Sequence, residues 1–346
     1  MAISWRLISF ALLATLLLPW NSKAQEELRL TGQEVAIYNL AGRVEVMEGS
    51  GSDVVVQVMR GGDDGQRLNL DVTRMDGREA LVIHYPGDPV IYPEMGRGSR
   101  THIQVRSDGT FGGGGGDRVE IRGSGRGLEA WADLRVRVPR GRDLALFLAV
   151  GNAEASGVVG NLLMDTGSGE VTARRIEGAL EIDTGSGRVT VEDVQGDLLI
   201  DTGSGELEVS NVRGTRVRLD TGSGEVVARG ITASAVEIDS GSGSVSLSGI
   251  SAPEIHVDTG SGEVEMELLE DVDDLVVDTG SGAVTLRLPQ GIGARVEVDT
   301  GSGGIEVDLP LQIREVERNN LQGTLGDGRG RIKIDTGSGT VRLLSR

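Results

Sequence analysis

The chain has 346 residues, no cysteine and a formal charge of −19, with 53 acidic against 34 basic side chains. Disulfides and cysteine-linked lipid anchors are therefore excluded, and a field of that sign repels nucleic acid and anionic lipid. Only nine residues are aromatic and none follows Phe147, so a function placed in the last 199 residues works without aromatic rings.

Residues 1–24 read as a secretory signal peptide. Arg6 supplies a short positive region, residues 7–18 an apolar run too short for a comfortable membrane span, and Pro19 ends it. Ser22-Lys23-Ala24 offers a small-residue cleavage site, which starts the mature chain at Gln25 with a charge of −21. An uncleaved anchor is the other reading of this segment. No later stretch is apolar enough to cross a bilayer as a helix.

Residues 25–142 are strand-rich. "VAIYNL", "GRVEVMEG" and "DVVVQVMRG" alternate apolar and polar positions with Gly and Asp between them. Residues 86–127 are irregular, contain five successive glycines at 112–116, and read as a long flexible excursion.

Residues 143–346 carry a repeat. Asp-[Thr/Ser]-Gly-Ser-Gly begins at Asp165, Asp183, Asp201, Asp220, Asp239, Asp258, Asp278, Asp299 and Asp335, in steps of 18 to 21 residues and a last step of 36. A period near 19 means a stacked array. Aligned on the Asp, the positions three and one before it and six and eight after it are aliphatic in almost every unit. A fifth column, eleven after, runs Ile176, Val194, Val212, Ile231, Ile250 and Leu269 before fading. Within a unit the apolar positions alternate with period two, which is strand geometry with one face buried. Each unit is thus strand, tight turn, strand, second turn.

A strand of four residues cannot bury its face alone. Coils stacked about 4.8 Å apart let each strand pair with its equivalents above and below, and the apolar columns become aliphatic ladders. The predicted fold is all-β: a right-handed parallel β-helix or solenoid, two short strands per coil, in a rod of about 50 Å. Leu144, Leu146, Ala153 and Ala155 fit the same frame one unit upstream, with Phe147 in the Asp position. Residues 309–330 break the frame and read as an irregular insertion that leaves the rod before the final coil returns at Ile332.

The pentapeptide also resembles the catalytic loop of an aspartic protease. That chemistry needs two such loops, one on each of two large lobes, so that two carboxylates share a proton. Motifs every 19 residues cannot build those lobes, so the protease reading is rejected. The structural reading makes the nine Asp residues turn residues. Their carboxylates accept backbone N–H groups, and the glycines supply positive φ. Stacked carboxylates about 4.8 Å apart repel by roughly 3 kcal/mol at an effective dielectric of 20, less when exposed. Turn donors, raised pKa values or cations must offset this, so a Ca²⁺ ladder is a candidate. Glu170, Glu206, Glu225 and Glu263 follow their turns, but Arg188, Ser244, Ala283, Gly304 and Thr340 break that pattern, and the spacing of Ca²⁺-binding β-rolls is missing.

The glycine runs lack the Gly-Lys-[Ser/Thr] of a phosphate loop. His84, His102 and His256 are scattered and fit surface roles better than ligand or catalytic ones. No catalytic set, cofactor site or metal site can be assembled from these residues.

"VAIYNLAGRVEVMEGSGSDVVVQV", "LRVRVPRG", the DTGSG body and "GTLGDGRGRIKIDTGSGTVRLL" resemble the bacterial β-strand-repeat family grouped as a "putative adhesin" domain of unknown function. The resemblance covers about residues 30–346, with residues 86–127 as a departure. It implies an exported β-solenoid and brings no catalytic residues. The sequence reading is a non-enzymatic scaffold in the periplasm or at the cell surface. Its partner would be a protein or a surface glycan. A carbohydrate-active β-helix enzyme and a filament stacking end to end are the alternatives.

Overall fold

The computed structural model describes residues 25–346 apart from 76 and 113. The signal-peptide reading of residues 1–24 lies outside them. Among the described residues there are 33 strands, two short 3-10 turns and no α-helix. Two long sheets face each other, one of 15 strands and one of 14. Each coil contributes one strand to each sheet, and successive coils pair in parallel, as in Leu180–Thr184 beside Leu198–Thr202 and Val189–Gln195 beside Leu207–Arg213. The protein is a β-solenoid.

The inward columns are the predicted ones. In the 15-stranded sheet Leu180 and Ile182 are buried while Glu181 and Asp183 face out. The other sheet buries Val189 and Val191. β-branched side chains dominate because they pack well on a pleated surface. Full burial of one such side chain stabilises by roughly 1.5–3 kcal/mol, so each coil adds several of these.

The fifth column has a specific cause. It stands at an odd offset from its neighbours, so the strand must change phase. Arg175, Asp193, Asn211, Gly230 and Gly249, ten residues after each Asp, adopt positive φ between 53° and 68° and turn the next side chain inward. In the Asp258 coil this left-handed residue is gone, strict alternation returns, and Leu268 is buried while Leu269 is exposed. From this coil the column moves one place earlier, to Leu268 and then Leu288, where the sequence frame places Leu269.

Neither end of the array follows chain order. Glu34–Ala41 and Val44–Gly49 form a coil lying directly against Asp143–Val150 and Ala153–Ser156, and Trp131–Pro139 pairs with its outer side. Likewise Gly330–Thr336 and Val341–Ser345 lie between Asp274–Thr279 with Val284–Leu288 on one side and Ala294–Thr300 with Ile305–Asp308 on the other. The spatial order of the last turns is Asp278, Asp335, Asp299. The sequence reading has the last coil at the end of the rod, but the edge left by Asp274–Thr279 binds it in register, Asp278 opposite Asp335.

Residues 309–330 are ordered into an antiparallel hairpin, Gln312–Val316 and Asn320–Leu325, that extends the 15-stranded sheet beyond Ala294–Thr300. Residues 86–127, expected to be a flexible excursion, instead supply most of a four-stranded sheet built from Val90–Ile91, Arg100–Val105, Asp117–Arg122 and Leu128–Glu129. Its apolar residues Val90, Tyr92, Phe111 and Ile121 pack on Leu40, Ala41, Ala149 and Val150. Five glycines suggested disorder, but the aromatic and aliphatic residues around them bury enough surface to fold the segment onto the stack.

Candidate functional site

The turn begins with the residue after the Asp. Thr166, Thr184, Thr202, Thr221, Ser240, Thr259, Thr279, Thr300 and Thr336 are all buried. In six turns the hydroxyl accepts the N–H of the glycine three residues on at 3.0 Å, as Thr202 does from Gly205 and Thr259 from Gly262. Several also donate to a glycine carbonyl of the coil below: Thr221 to Gly205 at 3.2 Å, Thr259 to Gly243 at 3.3 Å, and Thr336 to Gly282 at 3.0 Å. One hydroxyl thus closes its own turn and ties it to the next, which satisfies two buried backbone groups.

The glycines serve coil-on-coil contact. The first glycine of every motif lies outside the positive-φ range, and so does the second in seven of the nine turns. A Cβ on Gly224 would stand 1.7 Å from the Gly205 carbonyl oxygen, and one on Gly262 1.8 Å from that of Gly243. The turn backbones approach too closely for any side chain, so the requirement is for space more than for the left-handed conformation expected from sequence.

That leaves the carboxylates. Among the described residues, no Asp of the column accepts a hydrogen bond from the backbone of its own turn. The Asx-turn role expected of them is carried out by the threonine. Strand pairing places Asp165, Asp183, Asp201, Asp220, Asp239, Asp258, Asp278, Asp335 and Asp299 side by side in that order, one per coil, on the outer face of the 15-stranded sheet. Their partners there are few: Arg218 lies 3.5 Å from Asp220, and the Asn320 amide donates to Asp299. Burial and the charge of Asp183 push the Asp165 carboxyl up to about 6. Burial and neighbouring column carboxylates also raise Asp183 and Asp239 above the usual range.

The column has a roofed end. Phe147 pairs beside Asp165, and Tyr38 beside Phe147, so aromatic rings replace carboxylates there. Tyr38 and Phe147 stack at 4.4 Å, with Phe111 edge-on to Tyr38. The glycine loop lies over them, and a Cβ on Gly112 would stand 3.0 Å from the Asp165 carboxylate. Arg106 holds that loop through the carbonyls of Gly112 and Gly114. Beside the roof the outer face forms a groove of about 820 Å³. Leu163, Glu181, Asp183, Leu199 and Asp201 line it together with Arg218.

The remaining candidates stay apart. His84 lies 4.0 Å from Asp71, His102 lies 3.7 Å from Glu120 in the small sheet, and His256 stands exposed on the Asp-bearing face. Among the described residues no three His, Cys, Asp or Glu side chains converge as metal ligands. No two column carboxylates face each other across a cleft, so the geometry of an aspartic protease is absent.

These features define a solenoid that displays a continuous carboxylate face. The chain belongs to the Toastrack DUF4097 family, a domain of unknown function, whose model matches residues 128–344. No curated protein matches it. Two solved structures are similar over 93% of this chain at 10% identity. One is titled a "putative cell adhesion protein" from Clostridium sporogenes, 99% covered, with a TM-score of 0.22. The other is titled a "putative adhesin" from Bacteroides fragilis, 98% covered, with a TM-score of 0.31. No helix among the described residues is long and apolar enough to cross a membrane.

The threonine role and the roofed end are not evident from the motif alone. A signal for the first was present: Ser240 is the one substitution in the threonine column, and it keeps the hydroxyl.

Proposed function

We propose that the protein is an exported, non-enzymatic scaffold that binds a protein or surface-glycan partner through the Asp-bearing face. The observation that carries this is the carboxylate column. Nine coils repeat an Asp that their turns do not use and that repels its neighbours. A residue repeated at such a cost has work outside the fold. The face is acidic, so the partner surface it suits is cationic or cation-bridged. Cations are held there as counter-ions along a line of charge, in place of a Ca²⁺ chelate.

The test is a quadruple variant, Asp183→Asn, Asp201→Asn, Asp220→Asn and Asp239→Asn, compared with the parent. Labelled protein is applied to a glycan array and to intact and protease-shaved cells. The parent is expected to bind one of these surfaces and the variant to lose at least about tenfold while keeping its circular dichroism. Equal binding by both proteins would remove the face from the function. A reducing-sugar assay on any glycan bound checks the enzyme alternative.

A further inference from the structure

We propose that copies of this chain assemble end to end, the edge strand Gln312–Val316 of one copy adding to the edge strand Asn69–Met75 of the next. This concerns the ends of the stack and is independent of the partner proposed for the Asp-bearing face.

Both strands are the outermost strands of the same 15-stranded sheet, one at each end. Each therefore presents unpaired backbone donors and acceptors along one side. Gln312–Val316 runs with the stack, because it is antiparallel to Asn320–Leu325, which is antiparallel to Ala294–Thr300. Asn69–Met75 runs against the stack, because it is antiparallel to Arg78–His84, which is parallel to Glu34–Ala41. Two copies joined head to tail pair these edges antiparallel, the hydrogen-bonding arrangement that is more stable per residue.

The exposed side chains point to the same junction. Among the described residues five large hydrophobic side chains are exposed, and three of them lie on these two strands: Val72 at 40%, Ile313 at 58% and Val316 at 62%. All three are on the core side of the sheet. Val72 pairs beside Leu81 and Val316 beside Leu321, both core residues, while Ile313 pairs beside Gly323. Ile313 and Val316 continue the inward columns past the point where the opposite sheet stops, and Val72 lies on the last strand of the 15-stranded sheet, with no strand beside it. A further layer would bury them, and nothing among the described residues supplies it.

The two ends are staggered in complementary ways. At the end carrying Gln312–Val316 the 15-stranded sheet runs two strands past Ile305–Asp308, the last strand of the opposite sheet. Leu311 lies beneath Gly323 and covers the first of these two. The second, Gln312–Val316, is uncovered. At the other end the 14-stranded sheet runs one strand past Asn69–Met75, with Gln25–Leu30 protruding. Leu28 and Leu30 of that strand pack toward the core. One uncovered strand at one end meets one protruding strand at the other. In the assembly Gln25–Leu30 lies across from Gln312–Val316, and Leu28 faces Ile313 and Val316. The filament thus continues the 15-stranded sheet strand by strand, and the opposite sheet resumes after one layer that Leu311 fills.

Sedimentation velocity and negative-stain images of the purified protein test this, with Val72→Lys, Val316→Lys and an equimolar mixture of the two. These positions are exposed, so the variants keep the parent's circular dichroism and melting temperature. The parent is expected to sediment faster with rising concentration and to form rods in multiples of a repeat of roughly 70 Å, the span of 15 strands. Each variant alone has one blocked end on every copy and stays monomeric. The mixture forms a species of two copies and no larger, because one intact end of each variant remains. A parent that is monomeric at all concentrations overturns the proposal. So do variants that assemble like the parent, or a mixture that stays monomeric while the parent assembles.

Discussion

At the residue scale the motif divides its labour unexpectedly: the buried hydroxyl closes the turn, the glycines let coils touch, and the carboxylate is left for solvent. Thr259→Val strands the Gly262 N–H and leaves the Gly243 carbonyl with the Ser240 hydroxyl alone, and is expected to cost about 1–3 kcal/mol. Asp258→Asn at the neighbouring position removes a charge between two like charges and is expected to be neutral or slightly stabilising, within about 0.5 kcal/mol. Urea melts of the two variants distinguish this assignment from an Asp-held turn, which would reverse the order.

Asp165 carries a pH dependence at the same scale. Its native carboxyl keeps its proton to about pH 6, because the roof and Asp183 disfavour the charged form. An unfolded aspartate releases its proton near pH 3.9. The native state therefore holds more protons between these values, and stability falls as pH rises from about 4 to 6 and stays lower above. Asp165→Asn is expected to be more stable than the parent above pH 6 by about 1 kcal/mol, after allowance for partial exposure, and equal to it near pH 4. Melting temperatures of both proteins across that range check it.

At the element scale the ends of the array behave differently from its sequence ends. Residues 330–346 occupy an interior layer, with partners on both sides. Deleting them leaves two coils without their common neighbour and removes four buried core residues, Ile332, Ile334, Val341 and Leu343. The melting temperature is expected to fall by about 10 °C or more, or the transition to lose its cooperativity. Replacing the outer hairpin of residues 312–325 with a short linker removes an end and is expected to cost only a few degrees. Calorimetry of the two variants reads the difference. The left-handed residues belong to this scale too. Five coils place one at the same offset, which keeps Ile176, Val194, Val212, Ile231 and Ile250 in one inward column.

At the scale of the whole molecule the unbalanced charge dominates. Carboxylates one coil apart lie within a Debye length of each other at physiological salt, so added salt weakens their repulsion. The melting temperature is expected to rise between about 10 mM and 300 mM NaCl. Ca²⁺ and Mg²⁺ at equal ionic strength are expected to act alike, since no three carboxylates converge among the described residues. A rise specific to millimolar Ca²⁺ and abolished by EDTA would show chelation instead. The same scale sets the fate of the ends, where Val72 and Val316 extend a core that one copy does not close.

How much of this was readable beforehand depended on whether the interaction repeats. Leu180, Ile182, Val189 and Val191 announced two inward faces because each recurs coil after coil, and a recurring apolar column has one physical use. The Asp column was equally plain as a pattern, but its role was misread: a carboxylate and a hydroxyl can each cap a turn, and only burial shows which points inward. Residues 86–127 failed for the opposite reason. They repeat nothing, and their stability comes from Phe111 and Tyr92 meeting residues far along the chain.

Period and alternation were enough to specify a stacked two-sheet array, because they encode neighbour-to-neighbour pairing, which is local in the stack. The order in which the terminal coils slot together, the roof over Asp165 and the staggered, unclosed ends depend on contacts between distant segments. Those are set by which strand edges remain free once the body has formed, and no periodicity records them.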